Sequence, residues 1–142
     1  MNHPAELILH QYMTDAVRGD SAMTEETIQQ VATDVADALR RQFGSGKSRG
    51  DFKIRMSNVG RPTCQLWYEK NKPEVALPMP TNFMMNMMLG DIVEAVFKGV
   101  LKEAGVQYED SKKVSLDCGS TTVHGSYDIV INDAVDDIKS AS

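Results

Sequence analysis

Near the end of the chain, two aspartates and a lysine have the residue types of metal-dependent phosphate chemistry. Asp137 and Lys139 are two residues apart, and Asp128 lies nine residues before Asp137. Apolar residues on both sides of a short Asn132-Asp133 link predict a β-hairpin. With those two residues as the loop, the register places Asp128 opposite Asp137, and Ser126 opposite Lys139.

This register would bring two carboxylates together. Directly opposed residues in a sheet have Cβ atoms only about 5 Å apart, so like charges at these positions repel. A shared proton or a bound cation would relieve that repulsion, and two carboxylates with the Ile138 carbonyl suit a hard divalent ion. Strand alternation places Lys139 on the same side as Asp137, with Ile138 on the other side. A lysine there would stabilise developing negative charge or orient an attacking water.

Three segments, taken in order, resemble the PD-(D/E)XK nuclease signature in the variety found in RecB-type and phage exonucleases. They are Gly90-x-x-x-Glu94 on a predicted helix, Gly125-x-x-Asp128 on a strand and Asp137-x-Lys139-Ser140 on the next strand. Many RecB-type members have His where this chain has Glu94. The family also continues after the lysine into another helix and strand, whereas this sequence stops three residues past Lys139.

The resemblance implies a metal-dependent DNA nuclease, with an exonuclease favoured over an endonuclease. Asp128, Asp137 and Glu94 would bind Mg²⁺ or Mn²⁺, and the Ile138 carbonyl would be an added ligand. Lys139 would position or activate the attacking water. The absent helix and strand imply either a split protein whose core is completed by a second polypeptide, which is expected as a partner, or an unusually minimal core. The alternative is a non-catalytic DNA-binding or assembly subunit derived from a nuclease.

The expected fold class is α/β, in the α+β sense, with a restriction-endonuclease-like core that lacks its last helix and strand. Residues 1–44 would form an N-terminal helical region. Residues 45–80 would form a basic, aromatic DNA-contact region and linker. Residues 81–142 would form the nuclease core, which consists of one helix and a three-stranded sheet.

Apolar periodicity and capping residues predict the elements. Helices are expected from Pro4 to Val17, between the cap Thr24 and the stop Gly44, and from Thr81 to about Ala104. The first strand is expected at Val114 to Asp117.

The last predicted helix carries the candidate ligand Glu94. A buried stripe is predicted on this helix from Met85, Met88, Leu89, Ile92, Val96 and Val100. Gly90 would let the sheet approach the helix closely. Asp91 is the substitute carboxylate if Glu94 is misplaced.

Basic charge is concentrated in one segment. The 142 residues carry a net charge of −5, but residues 40–72 contain nine Lys or Arg and two Asp or Glu. A basic segment beside a carboxylate cluster is typical of a protein that binds a phosphate backbone. The segment also resembles the nucleases in its Ser-x-x-Gly motif followed by an aromatic pair. Arg55, Ser57 and Arg61 are therefore candidate DNA contacts. The aromatic pair would stack on bases or pack, with core packing favoured for Trp67.

Composition bounds the remaining possibilities. With 42% hydrophobic and 25% charged residues, the chain is typical of one globular domain. It has no run of about 18 apolar residues and no N-terminal signal pattern, which predicts no membrane partner. The expected location is the cytoplasm, that of the host cell if a phage encodes the protein. Cys64 and Cys118 are predicted to be free thiols.

Overall fold

The computed structural model describes residues 4–44 and 51–138, and they form a mixed α+β structure. Its helices are α1 (Pro4–Arg18), α2 (Glu25–Phe43), α3 (Thr63–Asn71) and α4 (Thr81–Glu103), with short 3-10 helices at Met56–Asn58 and Pro73–Val75. Its strands are β1 (Tyr108–Asp117), β2 (Thr122–Ile131) and β3 (Ala134–Asp136). The predicted positions of α1, α2 and α4 are confirmed. The helix α3 was not expected, and β1 begins six residues before the predicted strand.

Helices α2 and α4 pack side by side and antiparallel, with polar contacts at both ends. At the start of α2, the predicted cap Thr24 accepts a hydrogen bond from the Thr27 backbone N–H and donates one to Glu103 at 2.6 Å. At its other end, Gln42 donates a hydrogen bond to Asp91 at 3.1 Å. Between these ends the helices approach closely, because a Cβ on Gly99 would lie 2.4 Å from a Val31 methyl carbon.

The three strands form an antiparallel sheet in the order β1-β2-β3. Asn132 and Asp133 both have left-handed backbone conformations, with φ of 51° and 61°, as a two-residue type I′ hairpin requires. The register pairs Ile131 with Ala134 and Ile129 with Asp136. The predicted hairpin and its register are therefore confirmed. The same alternation turns Ile138 toward the core, where it packs against the buried cluster.

One hydrophobic core joins the N-terminal helix, α4 and the sheet. Its buried members are Ala5, Leu9, Leu101, Val106, Ile129 and Ile131. Leu101 and Ile129 are fully buried, so the C-terminal half of α4 covers the middle strand. None of the described helices is both long enough and apolar enough to cross a membrane. Cys64 and Cys118 are free, as predicted, and both are exposed.

Two packing predictions were wrong. Within the expected buried stripe of α4, Met85, Leu89 and Val96 are between 45% and 49% exposed, and the side chain of Trp67 is 52% exposed. The small residues Ala95 and Gly99 of α4 are buried instead, and α2 approaches α4 closely at Gly99. Helical periodicity identifies an apolar face but does not show whether another element covers it.

The expected close approach at Gly90 was also wrong. A Cβ on Gly90 would meet no atom within 4 Å among the residues that the structure describes. Gly99 is the glycine of α4 that permits close packing, and its partner is α2 rather than the sheet.

These two glycines give a matched test of the packing. Gly99→Ala should lower the melting temperature, because overpacking typically costs about 1–3 kcal/mol and outweighs a gain in helix propensity of about 1 kcal/mol. Gly90→Ala adds the same methyl group to open space and should raise stability by up to about 1 kcal/mol. Thermal unfolding of both variants checks this. A Gly99→Ala protein as stable as the Gly90→Ala protein would contradict the packing of α2 on α4.

Candidate functional site

The hairpin brings together the two aspartates that its register pairs. Asp128 lies half-buried on β2, and Asp137 follows the last residue of β3 and is exposed. The pKa of Asp128 is raised, first by a hydrogen bond with the Asp137 carboxyl group, then by burial and by the charges of Asp137 and Glu94. The Ile138 backbone N–H opposes this rise because it donates a hydrogen bond to Asp128. A shared proton would suit this contact and is one of the two expected ways to relieve the repulsion between the carboxyl groups.

Glu94 acts on this pair through its charge, but its carboxylate is bound elsewhere. Lys98, one helical turn later, donates a hydrogen bond to Glu94 at 2.6 Å and another to Asp110 on β1. Burial lowers the pKa of Lys98, but its hydrogen bonds to Asp110 and Glu94 outweigh that effect and raise it. Glu94 and Lys98 therefore form part of an ion-pair network that ties α4 to the sheet. The spacing of four residues on a helix was the sequence signal for this pair.

Asp91, the substitute carboxylate, contacts the end of α2. Its carboxylate accepts a hydrogen bond from Gln42 and lies 3.6 Å from the Arg41 guanidinium, both at the end of α2. Asp91 therefore serves the contact between the helices and does not replace Glu94. Lys139 lies outside the described residues, so its expected place opposite Ser126 stays a prediction.

A basic pocket adjoins the aspartate pair. It has a volume of about 540 Å³. Its lining residues are Lys53, Arg55, Met56, Ser57, Lys113, Val114, His124, Gly125 and Ser126. Ser126 and Asp128 lie on the same side of β2, about 7 Å apart by strand geometry. The pocket and the carboxylates are therefore neighbours along one strand.

The wall of this pocket is built where the basic segment joins the sheet. The His124 backbone N–H donates a hydrogen bond to the Ile54 carbonyl at 2.9 Å, and Arg55 forms a parallel bridge with His124. At the neighbouring position, a Cβ on Gly125 would lie 3.0 Å from Met56, so the absence of a side chain lets the 3-10 helix pack closely. The Gly125 of the strand motif thus serves the pocket wall.

The predicted DNA contacts are divided between two places. Arg55 and Ser57 line the basic pocket, whereas Arg61 is not among the lining residues and lies 3.4 Å from the Glu69 carboxylate. Lys113 and His124 also line the pocket, and the sequence did not identify them as contacts. The feature that could have identified them is the register of β1 with β2, which pairs Lys113 with Ser126.

The chemistry of the two aspartates fits a hard divalent cation, which prefers carboxylate oxygens. Glu94, the expected third ligand, already accepts a hydrogen bond from Lys98. To bind a cation, it would have to give up that hydrogen bond or act through a water molecule. Among residues 4–44 and 51–138, no group of three or more His, Cys, Asp or Glu side chains has an arrangement that would hold a metal ion.

Comparisons with protein-family models, with curated proteins and with solved structures find no match to this chain.

The contact between Asp128 and Asp137 predicts the effect of removing one charge. Without divalent cations, Asp128→Asn should raise the melting temperature at neutral pH. Opposed like charges cost up to about 1 kcal/mol, which corresponds to about 2–4 °C in a chain of this size. Because the folded state raises the pKa of Asp128, the wild type loses stability as pH rises through that pKa. The advantage of the variant should therefore disappear in acid, where both proteins are neutral at this position.

Thermal unfolding between acid and neutral pH in EDTA measures this effect. Asp133→Asn is the matched control, because it removes one charge from the same hairpin at a left-handed position that Asn also tolerates. It should leave the pH dependence unchanged. An Asp128→Asn protein that is no more stable than wild type at neutral pH would contradict the like-charge contact.

Proposed function

We propose that this protein is a metal-dependent DNA nuclease that hydrolyses phosphodiester bonds, of the PD-(D/E)XK type. The observation that carries the proposal is the contact between the Asp128 and Asp137 carboxyl groups beside a basic pocket. The carboxylates supply cation ligands, and the pocket supplies charges that bind the phosphates of a substrate. Phosphodiester hydrolysis needs both.

In this proposal, Asp128 and Asp137 hold Mg²⁺ or Mn²⁺, with the Ile138 carbonyl as an added ligand. The ion, when bound, activates a water molecule and neutralises charge on the phosphate. Glu94 completes the ligand set directly or through water. Lys139 is expected to orient the attacking water and to stabilise negative charge as it develops. Within this chain, the aspartates would therefore bind the ion, and Lys139 would assist the attack of water on the phosphate.

The basic pocket would hold the DNA backbone next to the carboxylates. Lys53, Arg55 and Lys113 bring three positive charges to its lining, and the hydroxyl groups of Ser57 and Ser126 add hydrogen-bond donors. Such contacts position a nucleic acid without reading its sequence. This arrangement supports a nuclease that cuts DNA with little sequence preference. An exonuclease is favoured over an endonuclease by the resemblance to phage enzymes.

An exposed apolar surface supports the proposal that the active form contains a second polypeptide. Residues 75–90 contain no charged side chain. Among them, Phe83, Met85, Met87 and Leu89 are between 39% and 53% exposed on the N-terminal half of α4. Extended apolar surfaces of this kind are typical of protein interfaces, and methionine-rich ones adapt well to a partner. Phe83 and Met87 lie one helical turn apart, as do Met85 and Leu89, so a partner could pack against apolar side chains on either side of this half of α4.

One observation favours a second candidate, a non-catalytic DNA-binding subunit derived from a nuclease. Glu94 is bound to Lys98, which itself is only 12% exposed, so the third carboxylate is already neutralised by a lysine. The basic pocket does not depend on a metal. A protein of this kind would bind DNA but would leave it uncut.

End-labelled single- and double-stranded DNA, incubated with the chain in Mg²⁺, Mn²⁺ or EDTA, tests the nuclease directly. Cleavage should need the metal. Asp137→Ala should lower the rate a hundredfold or more, because metal ligation contributes several kcal/mol to the transition state. Lys139→Ala should slow cleavage while leaving DNA binding intact. The product ladder separates exonuclease from endonuclease activity.

Asp133→Asn is the matched control for these substitutions and should cleave like wild type. Undiminished cleavage by both Asp137→Ala and Lys139→Ala would contradict the assignment of the site. DNA binding with no metal-dependent change in product length would favour the non-catalytic subunit.

A further inference from the structure

Helix α3 displays two aromatic side chains on its surface. Within Thr63–Asn71, all of which the structure describes, no residue is buried. Trp67 is 52% exposed and Tyr68 is 54% exposed. Their rings contact each other edge to face, with centroids 5.2 Å apart and planes at 87°. The rings therefore contact each other while about half of each side chain is open to solvent.

Two exposed lysines follow this aromatic pair along the chain. Lys70 is exposed one helical turn after Trp67, and Lys72 is exposed just beyond the end of the helix. The helix contains one acidic residue, Glu69, and its carboxylate already lies 3.4 Å from the Arg61 guanidinium. Exposed lysines attract phosphates, and exposed aromatic rings stack on nucleobases. The combination is typical of surfaces that bind single-stranded nucleic acid.

The chain connects this surface to the basic pocket over a short distance. Ser57 lines the pocket, and α3 begins six residues later at Thr63. Six residues at 3.8 Å and four helical residues at 1.5 Å place Trp67 within about 29 Å of Ser57. One strand of DNA can therefore contact both places.

The chemistry of α3 favours a nucleic acid over a protein as the occupant. The centres of protein interfaces are depleted of lysine, whereas Trp67 and Tyr68 lie among lysines. The uncharged surface of residues 75–90 is the better protein-binding face on this chain. A DNA duplex offers its stacked bases only at an end or a break, so a stacking surface selects unpaired bases.

We propose that Trp67 and Tyr68 form a stacking platform for the bases of single-stranded DNA, with Lys70 and Lys72 binding its phosphates. This inference rests on the proposed function, because it assigns the unpaired substrate strand to a nuclease. It also makes a claim about binding that cleavage does not test. Binding by stacking needs no divalent cation.

Trp67 is the single tryptophan of the chain, so its fluorescence reports on the platform without a label. We would titrate the full chain in EDTA with an unpaired thymidine oligonucleotide, a duplex of equal length and an oligonucleotide of abasic sites. The abasic strand keeps the phosphates and lacks the bases. The unpaired strand should quench the fluorescence in a saturable way, and the duplex and abasic strand should quench it much less.

Variants separate stacking from charge. In anisotropy titrations of a labelled unpaired strand, Trp67→Ala and Tyr68→Ala should each weaken binding by roughly tenfold to a hundredfold. Trp67→Phe should keep most of the affinity. Phe43→Ala is the matched control, because Phe43 is an aromatic residue that is 58% exposed at the end of α2 and not on α3. It should bind like wild type.

Three results would overturn the inference. The first is quenching by the abasic strand equal to that by the unpaired strand, and the second is undiminished binding by both alanine variants. The third is a change in Trp67 fluorescence that appears without DNA when the protein concentration is raised. The last would indicate that α3 contacts another protein molecule. Failure of the proposed function has a different signature, in which the unpaired strand binds through Trp67 but is not cut when Mg²⁺ is added.

Discussion

The contact between the Asp128 and Asp137 carboxyl groups is the constraint on which this site depends. The two-residue turn at Asn132 and Asp133 fixes the register of the hairpin. This register places the two carboxyl groups directly opposite each other. At neutral pH such a pair must keep a proton or accept a cation. Where neither relieves the repulsion, the arrangement costs stability.

The rest of the structure holds that contact in place. Ile129 and Ile138 alternate with the two aspartates and point into the core, so slipping the strands by one residue would bury a charge and expose an isoleucine. Lys98 links α4 to β1 through Glu94 and Asp110, which fixes Glu94 where its charge acts on Asp128. On β2, which carries Asp128, Gly125 leaves room for Met56, so the basic pocket lies next to the carboxylates.

Local chemistry made part of this structure predictable. A turn that suits left-handed residues, a threonine cap and helical apolar spacing each act over a few residues, and the elements that depend on them lie where the sequence places them. The contact of Asp128 with Asp137 followed from the turn alone. Neither Lys113 nor His124 was identified as part of a pocket, because the pocket forms only where the segment at Ile54 meets β2.

Burial was the least predictable property. Trp67 and Met85 have side chains that are typical of a core, yet both are about half exposed. Exposure depends on which other elements cover the helix face that carries them. The helix α3 escaped prediction for a related reason, since a helix of nine residues with no buried side chain lacks the apolar period that identifies a helix. The same exposure makes α3 and the start of α4 available to ligands.

Cation binding by the purified chain alone, without DNA or a second polypeptide, tests the central claim most directly. We would titrate Mn²⁺ into wild type, Asp128→Asn and Asp133→Asn, and follow the free ion by electron paramagnetic resonance, with Mg²⁺ as competitor. The account predicts that wild type and Asp133→Asn bind Mn²⁺ at a site from which Mg²⁺ displaces it, and that Asp128→Asn loses this site. Equal binding by Asp128→Asn, or no binding by well-folded wild type at millimolar Mn²⁺, would contradict a metal centre at the aspartate pair.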